Sequence, residues 1–410
     1  MDIVGCKTKY EKGLIYMEWT NLPSRKKVLE QIFSLWKPEV QCEHVGLDDA
    51  IGRIAAEDAL SVHDIPVVRA SAMDGIGVIS ELFKDGIPDI SQWVQGIEYV
   101  RADTGDDFPD EYDAVIPIEQ LRFQDKTILE IDRDCFVSPG KNIVSKGSYL
   151  RKGELLVKKG TKLTPSDLAA LAHGGITSVL VLKKPRVAFI PTGNELVPAG
   201  IPLKRGKSVD SNSILVRHTL NEAGAEPHCY PVVKDDSGQA KAVLNEALSS
   251  ADIVIINGGS SKGEEDYNAR LIKERGDFIC HGVAAAPGKP MCISIINQKP
   301  VINLPGPSLA AYYGLDWCIK GLINHFLGIS REYRRCIDAV LQEDIRYAKG
   351  MEILCKMELW QEDDGVWKTR QVPFRKSTVI ENLTSPGQLI TNPARDGYTA
   401  GETVKVEIIR

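Results

Sequence analysis

The stretch Ala251–Ile272, ADIVIINGGSSKGEEDYNARLI, decides how the rest of the chain is read. Ile253, Val254, Ile255 and Ile256 form a short, β-branched, wholly apolar run, the pattern of a strand buried on both faces. Asn257, Gly258 and Gly259 break it, and Ser260, Ser261, Lys262 and Gly263 follow. Then come Glu264, Glu265 and Asp266, before a helical pattern begins at Tyr267. A buried parallel strand thus runs through a glycine-rich loop into a helix start. Such a loop can turn several backbone N–H groups toward one point, where the helix dipole also favours an anion. Carboxylates beside an anion repel it unless a cation lies between them. At ~4 Å and an effective dielectric of ~20, each like-charge pair costs roughly 4 kcal/mol. Two readings stand open: a phosphate-type ligand with a divalent metal, Mg²⁺, or a plain strand-to-helix turn with Asp266 as N-cap.

The 410-residue length predicts two to four domains with ample cores. A hydrophobic content of 43% and a charged content of 26% are those of an ordinary soluble globular protein. The net charge of −6 and the lack of any basic run argue against nucleic acid as a partner. No apolar run approaches the ~18 residues needed to span a membrane, and Met1 to Met17 show no signal-peptide core. The 9 cysteines include no Cys-x-x-Cys pair, so neither a zinc site nor a disulfide framework is indicated. Reduced thiols in a cytoplasmic protein are the expectation, and the 7 histidines, without ligand spacing, read as structural.

Along the chain, residues 1–21 form an extension without readable pattern. Val28, Leu29, Ile32, Phe33 and Trp36 share one helical face, and a second helical segment is expected from about Leu47 to Leu60. Residues 22–62 and 146–183 read together as a mixed helix/strand linking domain. In the latter, Thr164 caps a helix, Pro165 takes its first position and Gly174 stops it. Residues 63–145 read as a β-rich module, in which Ser71 and Asp74 are turn residues by composition and Arg101–Gly105 is a polar loop. From 184 to 329, strand and helix alternate as a doubly wound, mainly parallel α/β sheet requires. Its expected strands include Cys229–Val233, Phe278–Ala285, Met291–Ile296 and Pro300–Asn303. Residues 330–410 read as a small all-β domain. Its strands are expected at Val340–Ile345, Met351–Gln361 and Val366–Val372, with a hairpin turn at Asp363-Asp364-Gly365.

Right-handed crossovers put the ends of all parallel strands on one edge, where ligands bind. That edge would collect Thr192, Gly193 and Glu195; Asp235 and Asp236; Gly258 to Asp266; and Pro305, Gly306 and Ser308. Each loop alone is a plausible turn; their convergence points to one ligand site.

These residues together resemble the molybdopterin molybdenumtransferase (molybdenum insertase) family, which includes the C-terminal part of gephyrin. The markers are SAMDG (71–75), DTG (103–105), YDAVI (112–116), TGNEL (192–196), VDSN (209–212), KDD (234–236), NGGSSKGEED (257–266), PGKP (287–290) and LPG (304–306). The resemblance runs from about residue 22 to the end, and nine markers in the family's order make it specific. It implies a doubly wound domain similar to molybdopterin adenylyltransferases, and an elongated homodimer. In that dimer the cleft lies between this domain and the partner's β-rich module. The implied reaction takes adenylylated molybdopterin and molybdate and releases AMP with Mg²⁺. The upstream adenylyltransferase and recipient molybdoenzymes are then the candidate protein partners. By the same resemblance Asp210, Ser211 and Asn212, Pro287 and Gly288, and Ser71, Asp74, Thr104 and Gly105 join the binding residues. Asp236, Glu264 and Asp266 are assigned to Mg²⁺ and catalysis, with Glu195 and Lys289.

The chain also departs from the family. Arg69 stands where Asp is common, Ser148-Tyr149 where Glu-Asp is, Val144 and Ala286 where basic residues are, and Pro307-Ser308 where Asn-Pro is usual. These changes motivate one alternative, a carrier or maturation factor that binds molybdopterin or its nucleotide form; the glycine-rich loop allows a second, a nucleotidyl- or phosphotransferase of the same fold class. One substitution separates metal ligand from helix cap. Asp266→Asn keeps capping ability but loses the charge a metal needs. We expect a normal melting temperature and AMP release at least ~100-fold slower, about 2.7 kcal/mol of barrier, partly restored by high Mg²⁺. AMP release at the wild-type rate would make Asp266 a cap.

Overall fold

The apolar run at the centre of the sequence argument forms the strand Ile253–Asn257, and every residue of it is buried. The computed structural model of the chain describes residues 7–11, 14–18, 21–124, 127–234, 237–258, 267–329, 334–374 and 376–410. They fall into two units, residues 1–41 with 183–410, and residues 42–182.

In the first unit a six-stranded sheet has the order Glu226–Cys229, Arg186–Pro191, Ile253–Asn257, Lys299–Leu304, Cys292–Ile296 and Asp277–His281. The first four strands are mutually parallel; Cys292–Ile296 runs against them, and Asp277–His281, antiparallel to it, runs with them again, a mainly parallel sheet. Side chains alternate across such a sheet, so successive residues serve opposite faces. Ala188, Ile190, Val254 and Ile256 meet Ala240, Leu244, Ala247 and Leu248 of the helix Ser237–Ser250, with Ala269 and Ile272 of the helix Tyr267–Lys273. The helices Asn212–Glu222 and Ser308–Gly314 pack on each other and on the sheet, and the latter continues through a π-helical turn, Leu315–Ile319, into Lys320–Phe326. This is the doubly wound arrangement. The helix Arg25–Leu35 buries Val28 and Ile32 and packs against the strand Asp277–His281 and the Lys320–Phe326 helix.

The C-terminal strands form a closed ring. Glu352–Gln361, Trp367–Gln371, Cys336–Leu341, Thr403–Ile408 and Gly387–Ile390 pair in that order, and the last returns to the first. Leu341, Cys355, Met357, Leu389 and Val406 fill its interior. Closure leaves no edge in the ring to recruit another chain.

Four expectations are corrected. No helix forms over 47–60; one 3₁₀ turn, Leu47–Asp49, gives way to Gly52 at φ +71°, and Ile54 and Ala55 bridge to Lys162 and Val181. Pairing partners distant in sequence override the local pattern there. The expected 229–233 strand lies at Glu226–Cys229, leaving Val233 in an isolated bridge to Thr192. The expected 278–285 strand splits: Asp277–His281 stays in the sheet, whereas Ala285–Ala286 pairs with the ring strand Glu352–Gln361. The expected 340–345 strand is two, Cys336–Leu341 and Ile345–Arg346.

In the second unit, Gly75–Val78 is the centre of a three-stranded antiparallel sheet with Tyr99–Ala102 and Ala114–Pro117. A second core in this unit gathers Ala55, Val157, Leu163, Leu171 and Val181 around the helix Pro165–His173, whose start carries the expected cap from Thr164. Gly75 is required by contact: a Cβ there would lie 1.9 Å from the Ile116 carbonyl oxygen, which belongs to fixed backbone. We expect Gly75→Ala to destabilise this unit by about 3 kcal/mol, the upper range for overpacking, read as a lower midpoint in thermal unfolding. An unchanged midpoint would mean that the two strands separate more easily than their pairing implies.

Candidate functional site

Backbone hydrogen bonding runs out where the parallel strands end, and polar side chains take over there. Asn257 closes its strand at 3% exposure. Its Nδ2 donates to the carbonyl oxygens of Leu304 (3.2 Å) and Pro305 (2.8 Å), tying two strand ends together. Its Oδ1 accepts from Asn212 Nδ2 at 2.8 Å, and the same Nδ2 donates to the Gly306 carbonyl oxygen at 2.8 Å. Asn268 Nδ2 donates to Thr192 Oγ1 at 2.9 Å and to the Gly258 carbonyl oxygen at 3.2 Å, while Thr192 N–H donates to the Asn257 carbonyl at 2.8 Å. Gly258 has φ +130°, and a Cβ on it would sit 2.4 Å from the Thr192 carbonyl oxygen. The loops after three parallel strands are thus knit into one floor.

Above that floor lies a cavity of about 430 Å³. Thr192, Glu195, Asp210, Ser211, Asn212, Gly258, Gly306 and Ser308 all line it. The Ser211 and Ser308 hydroxyls, at the starts of two helices, lie 3.2 Å apart. Asp210 accepts from both the backbone N–H and the hydroxyl of Ser213, which holds the start of the Asn212–Glu222 helix. Gly193 donates its N–H to the Val233 carbonyl and lies under the Glu195 carboxylate. Among the described residues no cluster of three or more His, Cys, Asp or Glu side chains could hold a metal.

The other expected residues divide into four groups. Asp235, Asp236, Gly259, Ser260, Ser261, Gly263, Glu264 and Asp266 lie outside the described residues. Pro287, Gly288 and Lys289 do not line the cavity, but they lead into the antiparallel strand Cys292–Ile296, whose beginning lies beside the end of Lys299–Leu304. Gly288 faces the Ser308–Gly314 helix, with its Cβ direction 3.7 Å from the Ala310 carbonyl oxygen. Pro305 is buried and serves through its carbonyl. Ser71, Asp74, Thr104 and Gly105 belong to the second unit and form a knot of their own. Asp74 accepts from the backbone N–H and the hydroxyl of Thr104, both at 2.7 Å, and these bonds hold its carboxyl below the usual range. Ser71 is buried, its hydroxyl donating to the Met73 carbonyl while its own carbonyl accepts from Gly105 N–H.

Arg69, the most conspicuous departure, is consumed by its own unit. Its guanidinium reaches Asp110 (2.8 Å) and the carbonyls of Tyr112 (2.8 Å) and Pro109 (2.6 Å), and stacks 4.7 Å from the Phe108 ring centroid. The residues that sequence reasoning passed over are Asn257 and Asn268. For Asn257 the available signal was an amide ending an otherwise apolar run, a polar residue that burial tolerates only when bonded; Asn268, in a helix start, carried no such signal.

Residues 24–175 match the MoeA N-terminal region (domain I and II), and residues 188–325 match the probable molybdopterin binding domain. The chain is 30% identical over 391 residues to a molybdopterin molybdenumtransferase of Bacillus subtilis (strain 168), covering 90% of each chain. It is 29% identical over 383 residues to that of Staphylococcus aureus (strain COL), covering 88% of this chain and 90% of the other. A crystal structure of a molybdopterin biosynthesis MoeA protein from Pyrococcus horikoshii superposes with a TM-score of 0.78 at 28% identity, covering 95% of this chain and 99% of that one.

The amide floor makes its own prediction. Asn257→Asp sets a carboxylate against the Leu304 and Pro305 carbonyl oxygens, so its folded-state pKa must rise. A raised carboxyl pKa leaves stability intact at low pH and removes it as pH climbs through the folded value. We expect a loss of about 3 kcal/mol at pH 8 and a smaller loss at pH 5, by chemical denaturation. A pH-independent loss would contradict the assigned bonds.

Proposed function

The chain belongs to the molybdopterin molybdenumtransferase family, transferases of molybdenum cofactor biosynthesis. On that premise we propose that it moves molybdenum from molybdate into adenylylated molybdopterin, with Mg²⁺-dependent release of AMP, in the cytoplasm. The observation that carries this reading is the cavity at the carboxyl edge of the parallel sheet, where the expected TGNEL, VDSN and LPG residues line one space.

Each group has a task in this reading. The hydroxyls of Ser211 and Ser308 are donors for a phosphate or molybdate oxygen, and the Gly258 backbone approaches closely because it carries no side chain. Lys289 offsets charge on the leaving phosphate, with backbone N–H groups of Gly259 and Gly263. The donor chemistry fits Mg²⁺: Glu195 brings a hard oxygen donor to the cavity wall, and the remaining acids, Asp236, Glu264 and Asp266, would hold the ion. When bound, that ion supplies charge neutralisation at the phosphate. We further propose a homodimer in which Ser71, Asp74, Thr104 and Gly105 of one subunit face the cavity of its partner, supported by the family resemblance. With Arg69 tied to the 108–112 loop, one motive for the carrier reading weakens.

Incubation with adenylylated molybdopterin, Mg²⁺ and molybdate should yield AMP and bound molybdenum in equal amounts, from a protein that light scattering at micromolar concentration finds dimeric. Tight binding of the nucleotide without AMP release would favour the carrier instead. Full activity in a monomer would remove the shared cleft.

A further inference from the structure

Outside the cavity, one group of buried polar side chains has no role in the reaction. Lys356 and Gln388 are direct cross-strand partners on neighbouring ring strands, and Gln388 is paired in turn with Glu407. The adjacent Cys355 and Met357 point into the ring, so the row Lys356–Gln388–Glu407 lies on its outer surface. A lysine there would ordinarily reach water. Here Lys356 is 2% exposed, because the helix Ser308–Gly314 and its π-helical continuation lie over it.

The cover offers the ammonium aromatic faces, which attract a cation, but no hydrogen-bond acceptor. Lys356 Nζ lies 3.5 Å from the Tyr312 ring centroid and 5.5 Å from that of Tyr313, and has no hydrogen-bond partner. The nearby acids are committed elsewhere: Arg334 binds both Asp316 oxygens and also Glu407 at 3.3 Å, and Gln388 Nε2 donates to Glu407 at 2.7 Å. Gln388 Oε1 and Tyr313 Oη are unpartnered as well. Such atoms are costly in a dry joint.

We propose that this joint is a protonation-sensitive coupling between the C-terminal ring and the cavity. Loss of a proton from Lys356 tightens the Ser308–Gly314 helix on the ring, and gain of one loosens it. The lever is direct, since the helix begins at Ser308 on the cavity wall and carries Tyr312 and Tyr313 one turn further on.

The charged and titratable groups facing Lys356 from the described elements agree. Burial pushes its ammonium down to about 7, Asp316 opposing and Arg334 adding to the shift. Burial pushes the Tyr312 and Tyr313 hydroxyls upward, so both stay neutral. Burial would raise the Asp316 carboxyl, but the Arg334 hydrogen bonds and charge outweigh it and hold it low. Lys356 therefore titrates alone near neutrality. A base with a depressed folded value binds fewer protons folded than unfolded, between about 7 and its ordinary ~10.4. Stability should rise with pH across that window.

The test compares full-length wild type with Lys356→Met by denaturant unfolding from pH 6 to 10. The ratio of their unfolding constants should change by up to ~tenfold per pH unit above 7, with the variant the more stable of the two at pH 6. Amide exchange over 309–316, corrected for intrinsic rate, should lose protection ~10-fold from pH 8 to 6 in wild type alone. If Lys356→Met does not fold, ¹³C NMR of the wild-type lysine ε-carbons decides, with one lysine titrating near 7 expected. A pH-independent ratio, or all lysines titrating above 9.5, overturns the proposal.

Discussion

The carboxamide of Asn257 is the constraint on which the rest of the first unit's carboxyl edge depends. A parallel sheet must end somewhere, and at that end its carbonyl groups lose their ladder partners. Asn257 replaces them, bonding two carbonyls of the neighbouring strand's exit and receiving Asn212 from the helix across the gap. The backbone can then turn sharply at Gly258, and the loops from 192, 257 and 304 are held at fixed spacing. A cavity with rigid walls follows from a bonding requirement of the sheet rather than from any feature of a ligand.

The same logic separates residues that present chemistry from residues that hold it in place. Asp210 and Asp74 are both acidic residues within expected binding motifs, yet Asp210 spends both its oxygens on Ser213 and Asp74 spends Oδ1 on the hydroxyl and N–H of Thr104. Glu195 and the two serines at helix starts are among the residues that line the cavity. Arg69 gives the clearest case of a charge that sequence position alone misplaces. Read as a departure from a family pattern, it is a cation put where an acid is usual. In the fold, three carbonyls, a carboxylate and an aromatic face take up its guanidinium.

The C-terminal ring shows how a local pattern can conceal a tertiary role. Its alternation marks Cys355 and Met357 as inward and Lys356 as outward, a solvent-facing lysine by every local rule. What buries it is a helix contributed by the sheet domain, more than forty positions earlier in the chain. The short strand Ala285–Ala286, which leaves the sheet region to pair with the same ring strand, is a second link of this kind.

The sequence by itself determined the period of each element and the order of the strong ones. The apolar run 253–256, the helix face at 240–248, the cap at Thr164 and the turn at 363–365 are all local signals, and each recurs in the fold. Order and period together were enough to predict that the exits of the parallel strands would share an edge. Only the tertiary structure decided which polar side chains remain available at that edge, because hydrogen-bond partners such as Asn212 and Asn257 lie 45 positions apart. It likewise decided the fate of 47–60 and of Lys356. In both, long-range contacts set the outcome, bridges to residues more than a hundred positions away for the one and helix packing for the other, and no local pattern records them.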